Sequence, residues 1–132
     1  VRSTPCLPRH LSYGIWIYVN SWNSSIEKTI FERTNNIKLY FAEAAPVLKC
    51  NITMDNGSSS DETTLEITDN FPLQKWVHIV TSVDNQYLDA YLDGKLVRTC
   101  VLSGVPKMDK KSPLYLNDLL VKLHLLYIQF EF

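Results

Sequence analysis

The segment from Phe71 to Cys100 constrains the fold of this chain most, because a tight turn separates two strand-like runs within it. Tyr87 to Leu92 alternates between apolar and polar side chains, which is the period of a half-buried β-strand. Asp93-Gly94 follows and favours a type I′ hairpin turn, in which both central residues need a positive φ. Lys95 to Val101 is then the returning strand. The segment predicts an antiparallel meander, and it contains no phosphate-binding loop or metal-ligand spacing.

Strand-like runs recur roughly every 8–12 residues along the rest of the chain, a spacing that is typical of an all-β sandwich. β-branched and aromatic residues are common in these runs, and no segment shows a convincing helical pattern. We expect Asp55 to Glu62 to be a polar loop, and we expect Trp16 and Trp76 to lie in the core. The other predicted strands are Tyr13 to Val19, Lys28 to Arg33, Ile37 to Ala42, Val47 to Met54, Thr63 to Thr68, Lys75 to Val83, Pro113 to Asn117 and Val121 to Phe132.

Two phrases of the sequence resemble a known superfamily. Trp76 to Val80 (WVHIV), followed by Leu88 to Thr99 (LDAYLDGKLVRT), is similar to the signature hairpin of concanavalin A-like lectin and laminin-G-like domains. Tyr13 to Asn23 (YGIWIYVNSWN) resembles more narrowly the lectin-like domain proteins of nucleocytoplasmic large DNA viruses. The resemblance implies a two-sheet antiparallel jelly-roll sandwich over residues 13–132, which we expect to follow an arm at residues 1–12.

Composition excludes several classes of function. The chain has 132 residues, is 45% hydrophobic and 20% charged, and has a formal net charge of −1. A chain of this length buries enough surface to fold around one core, and a near-neutral charge argues against a general nucleic-acid binder. No apolar run approaches the roughly 18 residues of a membrane span, although the viral relatives imply an anchor upstream of Val1. For Cys6, Cys50 and Cys100, three buried thiols and one disulfide with a free thiol both remain open.

The acidic residues predict that the chain is not an enzyme. A retaining glycosidase needs two carboxylates about 5–5.5 Å apart. The hydrolases of the resembling superfamily carry an E-x-D-x-x-E pattern, which this chain lacks. Glu62 and Glu66 are four residues apart, as are Asp89 and Asp93, but Asp93 belongs to a turn and Asp89 to the solvent face of its strand. We therefore assign no catalytic residue.

Ligand-binding candidates are few. Sugar binding needs exposed aromatic rings, and the candidates are Trp22, Tyr40, Tyr87 and Tyr91. Cross-strand pairing on an outer face is the alternative explanation for the tyrosines. We expect no cofactor, although many lectins that the chain resembles bind Ca²⁺ through loop oxygens. Two candidates for such a site are Asp55 and Asp61, although Asp is also common in turns for conformational reasons alone.

The apolar tail is the candidate for docking on a partner, because one sandwich face covers only alternate residues of a strand. The residues we assign to docking are Leu119, Leu126, Phe130 and Phe132. The resemblance then implies a non-catalytic structural component of a large DNA virus, a minor capsid or virion-associated protein in contact with other virion or capsid proteins. It implies a location in the capsid or its inner membrane-proximal layer. The alternative is a carbohydrate-binding lectin module used for attachment, with glycans as partners and an extracellular location if the protein is cellular.

Overall fold

The computed structural model describes residues 10–22, 27–56, 59–107, 113–116 and 128–131. Within these residues the chain forms β-strands and no helix, as the strand-like runs predict. The strands are β1 (His10–Tyr18), β2 (Lys28–Arg33), β3 (Ile37–Phe41), β4 (Leu48–Asn56), β5 (Ser59–Thr68), β6 (Trp76–Asp84), β7 (Tyr87–Leu92), β8 (Lys95–Val101), β9 (Val105–Pro106), β10 (Leu114–Leu116) and β11 (Ile128–Glu131). A helix long and apolar enough to cross a membrane is therefore not found in the described part of the chain.

The described strands form two antiparallel sheets. The five-stranded sheet has the order β11-β1-β6-β7-β8. The six-stranded sheet has the order β10-β2-β3-β4-β5, and β9 pairs with the far end of β4. One cluster of buried apolar side chains from both sheets forms the core. The predicted fold class, an all-β jelly-roll sandwich, is confirmed.

Alternation along the strands decides which side chains enter the core, because successive side chains of a strand point to opposite faces. In β6, Val77, Ile79, Thr81 and Val83 are buried, while the residues that alternate with them face the other side and are partly exposed. Burial of each such aliphatic side chain stabilises the fold by roughly 1.5–3 kcal/mol. The apolar residues that alternate along β4, Leu48, Cys50, Ile52 and Met54, are also buried; on β7, Leu88 and Ala90 are buried and Leu92 on the same face is half-buried.

The turn between β7 and β8 has the geometry that Asp-Gly predicts. The φ angle is 50° at Asp93 and 82° at Gly94, so both residues lie in the left-handed region that a type I′ turn requires. Asp93 also ties the turn to β6. Its backbone N–H donates to the His78 carbonyl oxygen at 2.8 Å, and its Oδ1 accepts from the His78 backbone N–H at 2.9 Å. One residue thereby holds the register of three strands.

Some predicted boundaries differ from the structure. The expected polar loop at Asp55 to Glu62 is wrong, because β4 continues to Asn56 and β5 begins at Ser59. Ladder hydrogen bonds join backbone groups, so a long hairpin continues through polar residues once its register is set. Strand β1 begins at His10, within the segment expected to be an arm, and β11 is the closing strand of the tail, paired with β1.

The turn geometry predicts the effect of a substitution at Gly94. Gly94→Val should lower the free energy of unfolding by about 1 kcal/mol or more, because a β-branched residue disfavours a positive φ. No heavy atom lies within 4 Å of a Cβ placed at this position, so the loss comes from backbone strain rather than from a clash. Thermal denaturation measures the change. Gly94→Asn is the matched control, since Asn tolerates this conformation; equal melting temperatures for the two variants would contradict the turn.

The core predicts the reactivity of Cys50. This residue is 0% exposed, and burial raises the pKa of its thiol to about 12. Because only the thiolate is alkylated, iodoacetamide should label Cys50 only after unfolding, while the half-buried Cys100 serves as the internal control. The raised pKa also means that stability is full below about pH 8.5 and declines as the pH rises toward the folded value. Peptide mapping that finds both cysteines labelled equally fast in the folded chain would disprove the burial.

Candidate functional site

The outer face of the six-stranded sheet carries a row of polar side chains that crosses five strands. From β10 to β5, the residues paired across the row are Tyr115, Glu32, Lys38, Asn51 and Thr64. Neighbouring strands lie about 4.8 Å apart, so the row is about 19 Å long. It points away from the core on β2, β3 and β4, where the alternate residues are buried. We call this set the polar row.

A cleft of about 300 Å³ opens beside the polar row, at the turn between β2 and β3. Three positions of the polar row line it, namely Glu32, Lys38 and Asn51. The other lining residues are the neighbouring pair Thr53 and Glu62 on β4 and β5, and Arg33, Thr34, Asn35, Asn36 and Ile37 at the turn. Nearly all of these side chains carry hydrogen-bonding groups. The volume is at the lower end of the range for ligand sites, about 300–1,000 Å³.

Lys38 is held in the middle of the row between a carboxylate and an aromatic ring. Its Nζ donates to Oε1 of Glu27 at 2.8 Å and lies 4.8 Å from the centroid of the Tyr40 ring. The bond to Glu27 is the main reason why the pKa of Lys38 is raised, although burial opposes it and the charge of Glu32 adds to it. Since the ion pair is well exposed, it adds little stability. Its main effect is to orient the ammonium group.

Asn51 connects the row to the neighbouring residues of β5. Its Nδ2 donates to Oγ1 of Thr64 at 3.2 Å and approaches Oε2 of Glu62 at 3.4 Å. An amide both donates and accepts hydrogen bonds, a carboxylate accepts them, and a hydroxyl does both. The cluster can therefore bond a ligand whose own hydroxyl groups act as donors and acceptors.

A buried polar network supports the cleft from below. The Tyr13 hydroxyl group, which comes from the five-stranded sheet, donates to Oδ1 of Asn36 at 2.9 Å and accepts from Nη1 of Arg33 at 3.2 Å. Asn36 in turn donates its Nδ2 to the Lys107 carbonyl oxygen at 2.6 Å. Burial raises the pKa of Tyr13, and the hydrogen bond and charge of Arg33 act in the opposite direction. The network thus joins the two sheets and fixes the turn that forms one wall of the cleft.

Two of the predicted sugar-binding tyrosines lie on the other sheet. Tyr87 is 55% exposed and Tyr91 is half-buried, and the pairing of β7 places both on the outer face of the five-stranded sheet. They share that face with Asp89, as the alternation predicts. The structure therefore separates them from the polar row and from the cleft. Tyr40, by contrast, borders the row through its contact with Lys38.

Two tryptophans occupy positions that the sequence does not predict. Trp16 is 36% exposed and Trp76 is half-buried, both on the outer face of the five-stranded sheet, so their expected place in the core is wrong. Successive residues of a strand point to opposite faces, and because Ile15 and Ile17 of the same strand fill the core, Trp16 points outward. Trp16 instead stacks on His78 across the strands, with ring centroids 4.8 Å apart. Together with Tyr91, these rings make the outer face of this sheet aromatic, and we call it the aromatic face.

Trp22, the other predicted sugar-binding residue, packs at the margin of the core. Its ring meets Phe41 edge-on with centroids 5.4 Å apart, and Nζ of Lys28 lies 4.0 Å from its centroid. Lys28 is only 2% exposed; burial lowers its pKa, and the charge of Glu43 partly opposes that shift. One face of the Trp22 ring is therefore occupied within the protein and is less available for stacking than that of Tyr87.

The candidate calcium ligands are divided by the β4–β5 hairpin. Asp55 pairs with Ser60 and Asp61 pairs with Met54, in consecutive pairs of the ladder. Consecutive pairs point to opposite faces, so the two carboxylates diverge. No group of three or more His, Cys, Asp or Glu side chains that would hold a metal ion occurs among the described residues.

The candidate docking residues lie mostly outside the described residues, namely Leu119, Leu126 and Phe132. Phe130 belongs to β11, and its backbone pairs with Tyr13 at the edge of the five-stranded sheet. Part of the tail thus completes the sandwich. Docking by these residues stays a prediction.

The two carboxylate pairs that were considered for catalysis have different hydrogen-bond partners. Glu62 approaches the Asn51 amide, and Glu66 pairs with Lys49 further along the hairpin. Asp89 accepts a hydrogen bond from Oγ1 of Thr99 at 2.8 Å, and Asp93 holds the β7–β8 turn. The second pair therefore has structural partners.

The family model described as the Concanavalin A-like lectin/glucanases superfamily matches residues 3–118, and the chain belongs to this superfamily. No curated protein matches the sequence. The superfamily resemblance in the sequence is thus confirmed, whereas the narrower likeness to viral proteins has no support in the family description or in the two structures below.

Solved structures share the fold. One is a candidate carbohydrate-binding protein from Bacteroides ovatus, with a TM-score of 0.61 and 13% identity over 82% of this chain and 30% of that one. Another is botulinum neurotoxin type C, whose cell entry depends upon interaction with two ganglioside molecules; the TM-score is 0.53, with 17% identity over 80% of this chain and 29% of that one. This chain thus spans about 30% of the length of either protein, and at these identities the likeness concerns the fold alone.

The sequence does not identify the cleft residues Glu32, Lys38 and Asn51 as ligand-binding residues. Alternation along each strand predicts that they face solvent, but many other polar residues of the chain also face solvent, so this does not single them out. Their proximity follows from the pairing of β2 with β3 and of β3 with β4. No short motif encodes that proximity.

The buried network predicts the effect of removing one hydroxyl group. Tyr13→Phe should destabilise the fold by roughly 1–3 kcal/mol, because it leaves buried polar groups of Asn36 and Arg33 each short of a partner. Chemical denaturation measures the loss. Tyr87→Phe, at an exposed tyrosine, is the matched control and should change stability little. A Tyr13→Phe variant as stable as the control would show that the network does not join the sheets.

Proposed function

We propose that this chain is a non-catalytic carbohydrate-binding module and that the glycan lies along the polar row, with one sugar in the cleft. The observation that carries the proposal is the convergence of amide, carboxylate, hydroxyl and ammonium groups from neighbouring strands on one concave site. A sugar presents hydroxyl groups around its ring, and each of them donates and accepts. The lining offers partners of both kinds.

The shape of the site also suits an oligosaccharide. The polar row is about 19 Å long, as calculated from the spacing of its strands, so it has room for more than one sugar ring. Tyr40 lies beside Lys38 and offers an aromatic surface for the apolar C–H groups of a sugar. The buried Tyr13–Asn36–Lys107 network holds the turn that closes the cleft. A site that is ordered before binding loses less entropy on binding.

Comparisons with known proteins support the same class of function. The chain belongs to a lectin superfamily, and one similar structure is that of a candidate carbohydrate-binding protein. The superfamily also includes glucanases, so fold by itself does not exclude catalysis. We propose a non-catalytic role because Asp89 and Asp93 hold structural hydrogen bonds and Glu62 and Glu66 do not match the hydrolase pattern.

Glycan binding to the cleft predicts the effect of Asn51→Ala. On a glycan array followed by calorimetry, this variant should lose about fivefold to tenfold in affinity, the equivalent of one hydrogen bond. Tyr91→Ala on the aromatic face is the matched control and should bind normally. If the Tyr91 variant loses binding and the Asn51 variant keeps it, the glycan lies on the aromatic face. If the unmodified chain binds no glycan on the array, the proposed function is wrong.

The aromatic face favours protein docking as a second candidate function. Trp16, Tyr87, Leu96 and Val101 are exposed on it, and large exposed apolar side chains that lie together often mark a contact surface. The sequence-based hypothesis of a structural virion protein would use such a surface. Cross-linking of the chain in an isolated viral particle, with Trp16→Ser as the test variant, would support this function if cross-links formed and depended on Trp16.

A further inference from the structure

We propose that the cleft selects glycans by charge and prefers sugars that carry a free, protonated amino group over acidic sugars. The inference rests on the proposed function and specifies its substrate class. It follows from the charged groups that line the cleft and from how each of them is already engaged. The carboxylates are presented to a ligand, whereas the cations are bound by the protein's own side chains.

Two glutamates supply the negative charge of the lining. Glu32 stands in the polar row, and both it and Glu62 are exposed at the cleft. Glu62 meets the Asn51 amide at 3.4 Å, a long contact with a neutral donor that leaves its charge in place. Each carboxylate has about four lone-pair positions, so both retain capacity for further donors.

The cations of the lining already have partners within the protein. Nζ of Lys38 is bound to Glu27 at 2.8 Å, lies beside the Tyr40 ring, and senses the charge of Glu32. Arg33 is only 8% exposed and donates to the Tyr13 hydroxyl group within the core. An acidic sugar entering the cleft would face the charges of Glu32 and Glu62, while the charge of Lys38 is already offset by Glu27.

An ammonium group on the sugar ring meets the opposite situation. It would donate charge-assisted hydrogen bonds to Glu32 or Glu62, and such bonds are roughly twice as strong as neutral ones. A neutral hydroxyl group at the same position makes only the weaker bond. The expected order of affinity is therefore amino sugar, then neutral sugar, then acidic sugar. Because the site is open to solvent, salt should reduce the difference.

The test compares glycans that share a backbone and differ in the charged group they carry. Glucan and galactan oligomers of equal length are prepared with hydroxyl groups only, with free amino groups at C2, or with carboxylates at C6, and their binding to the whole chain is measured by calorimetry at low and high salt. For the backbone that binds, the amino form should bind about fivefold or more tighter than the neutral form. The acidic form should bind more weakly than the neutral form.

Two variants connect that preference to the cleft. Glu32→Gln and Glu62→Gln keep the size of the side chain and one acceptor oxygen but remove the negative charge, so they should abolish the preference for the amino form. Asp89→Asn, on the five-stranded sheet, is the matched control and should leave the preference unchanged. Acidic oligomers that bind as tightly as amino oligomers, or a preference that survives both Gln variants, would overturn the inference and leave glycan binding intact. Failure of every oligomer, neutral ones included, would overturn the inference, whereas failure on the whole glycan array would overturn the proposed function.

Discussion

Each strand of the sandwich has two faces, and the core between the sheets covers only one of them. The inner faces are filled by aliphatic and aromatic side chains such as Ile15, Phe41 and Ile79, which are almost completely buried. Every group that can meet a ligand is therefore distributed over the two outer faces and the loops between them. The two outer faces differ in chemistry: the five-stranded sheet presents Trp16 and Tyr91, and the six-stranded sheet presents the polar row.

The core and the cleft are linked by the Tyr13–Asn36 hydrogen bond. Tyr13 belongs to β1 of the five-stranded sheet, and Asn36 to the turn between β2 and β3 on the other sheet. Leaving a buried polar group without its partner costs more free energy than one hydrogen bond contributes to stability on average. The two sheets are therefore held in the relative position that keeps this network intact. The same turn forms a wall of the cleft, so the stability of the sandwich and the shape of the proposed binding site depend on shared residues.

The family match assigns the chain to a superfamily, but the fold does not choose its ligand, because one sandwich supports binding proteins and enzymes alike. The choice rests on side chains at one site. Asn51, Glu62 and Thr64 bring donors and acceptors to neighbouring strands, and Glu27 holds the nearby ammonium group of Lys38. The aromatic face offers broader apolar contact, and its carboxylate, Asp89, already accepts a hydrogen bond from Thr99. This difference in chemistry is why we place a glycan on one sheet and consider a protein partner for the other.

The sequence by itself determined the features that depend on neighbouring residues. The Asp93-Gly94 turn needs two positive φ angles, and alternation gives the core parity of β4 and β7, so both could be predicted. Hydrophobicity alone misplaced Trp16, because it does not reveal which face a large ring occupies. Only the tertiary structure decided the cleft. Glu32, Lys38 and Asn51 are brought together by long-range strand pairing, and backbone hydrogen bonds that make such pairs leave no motif in the side chains.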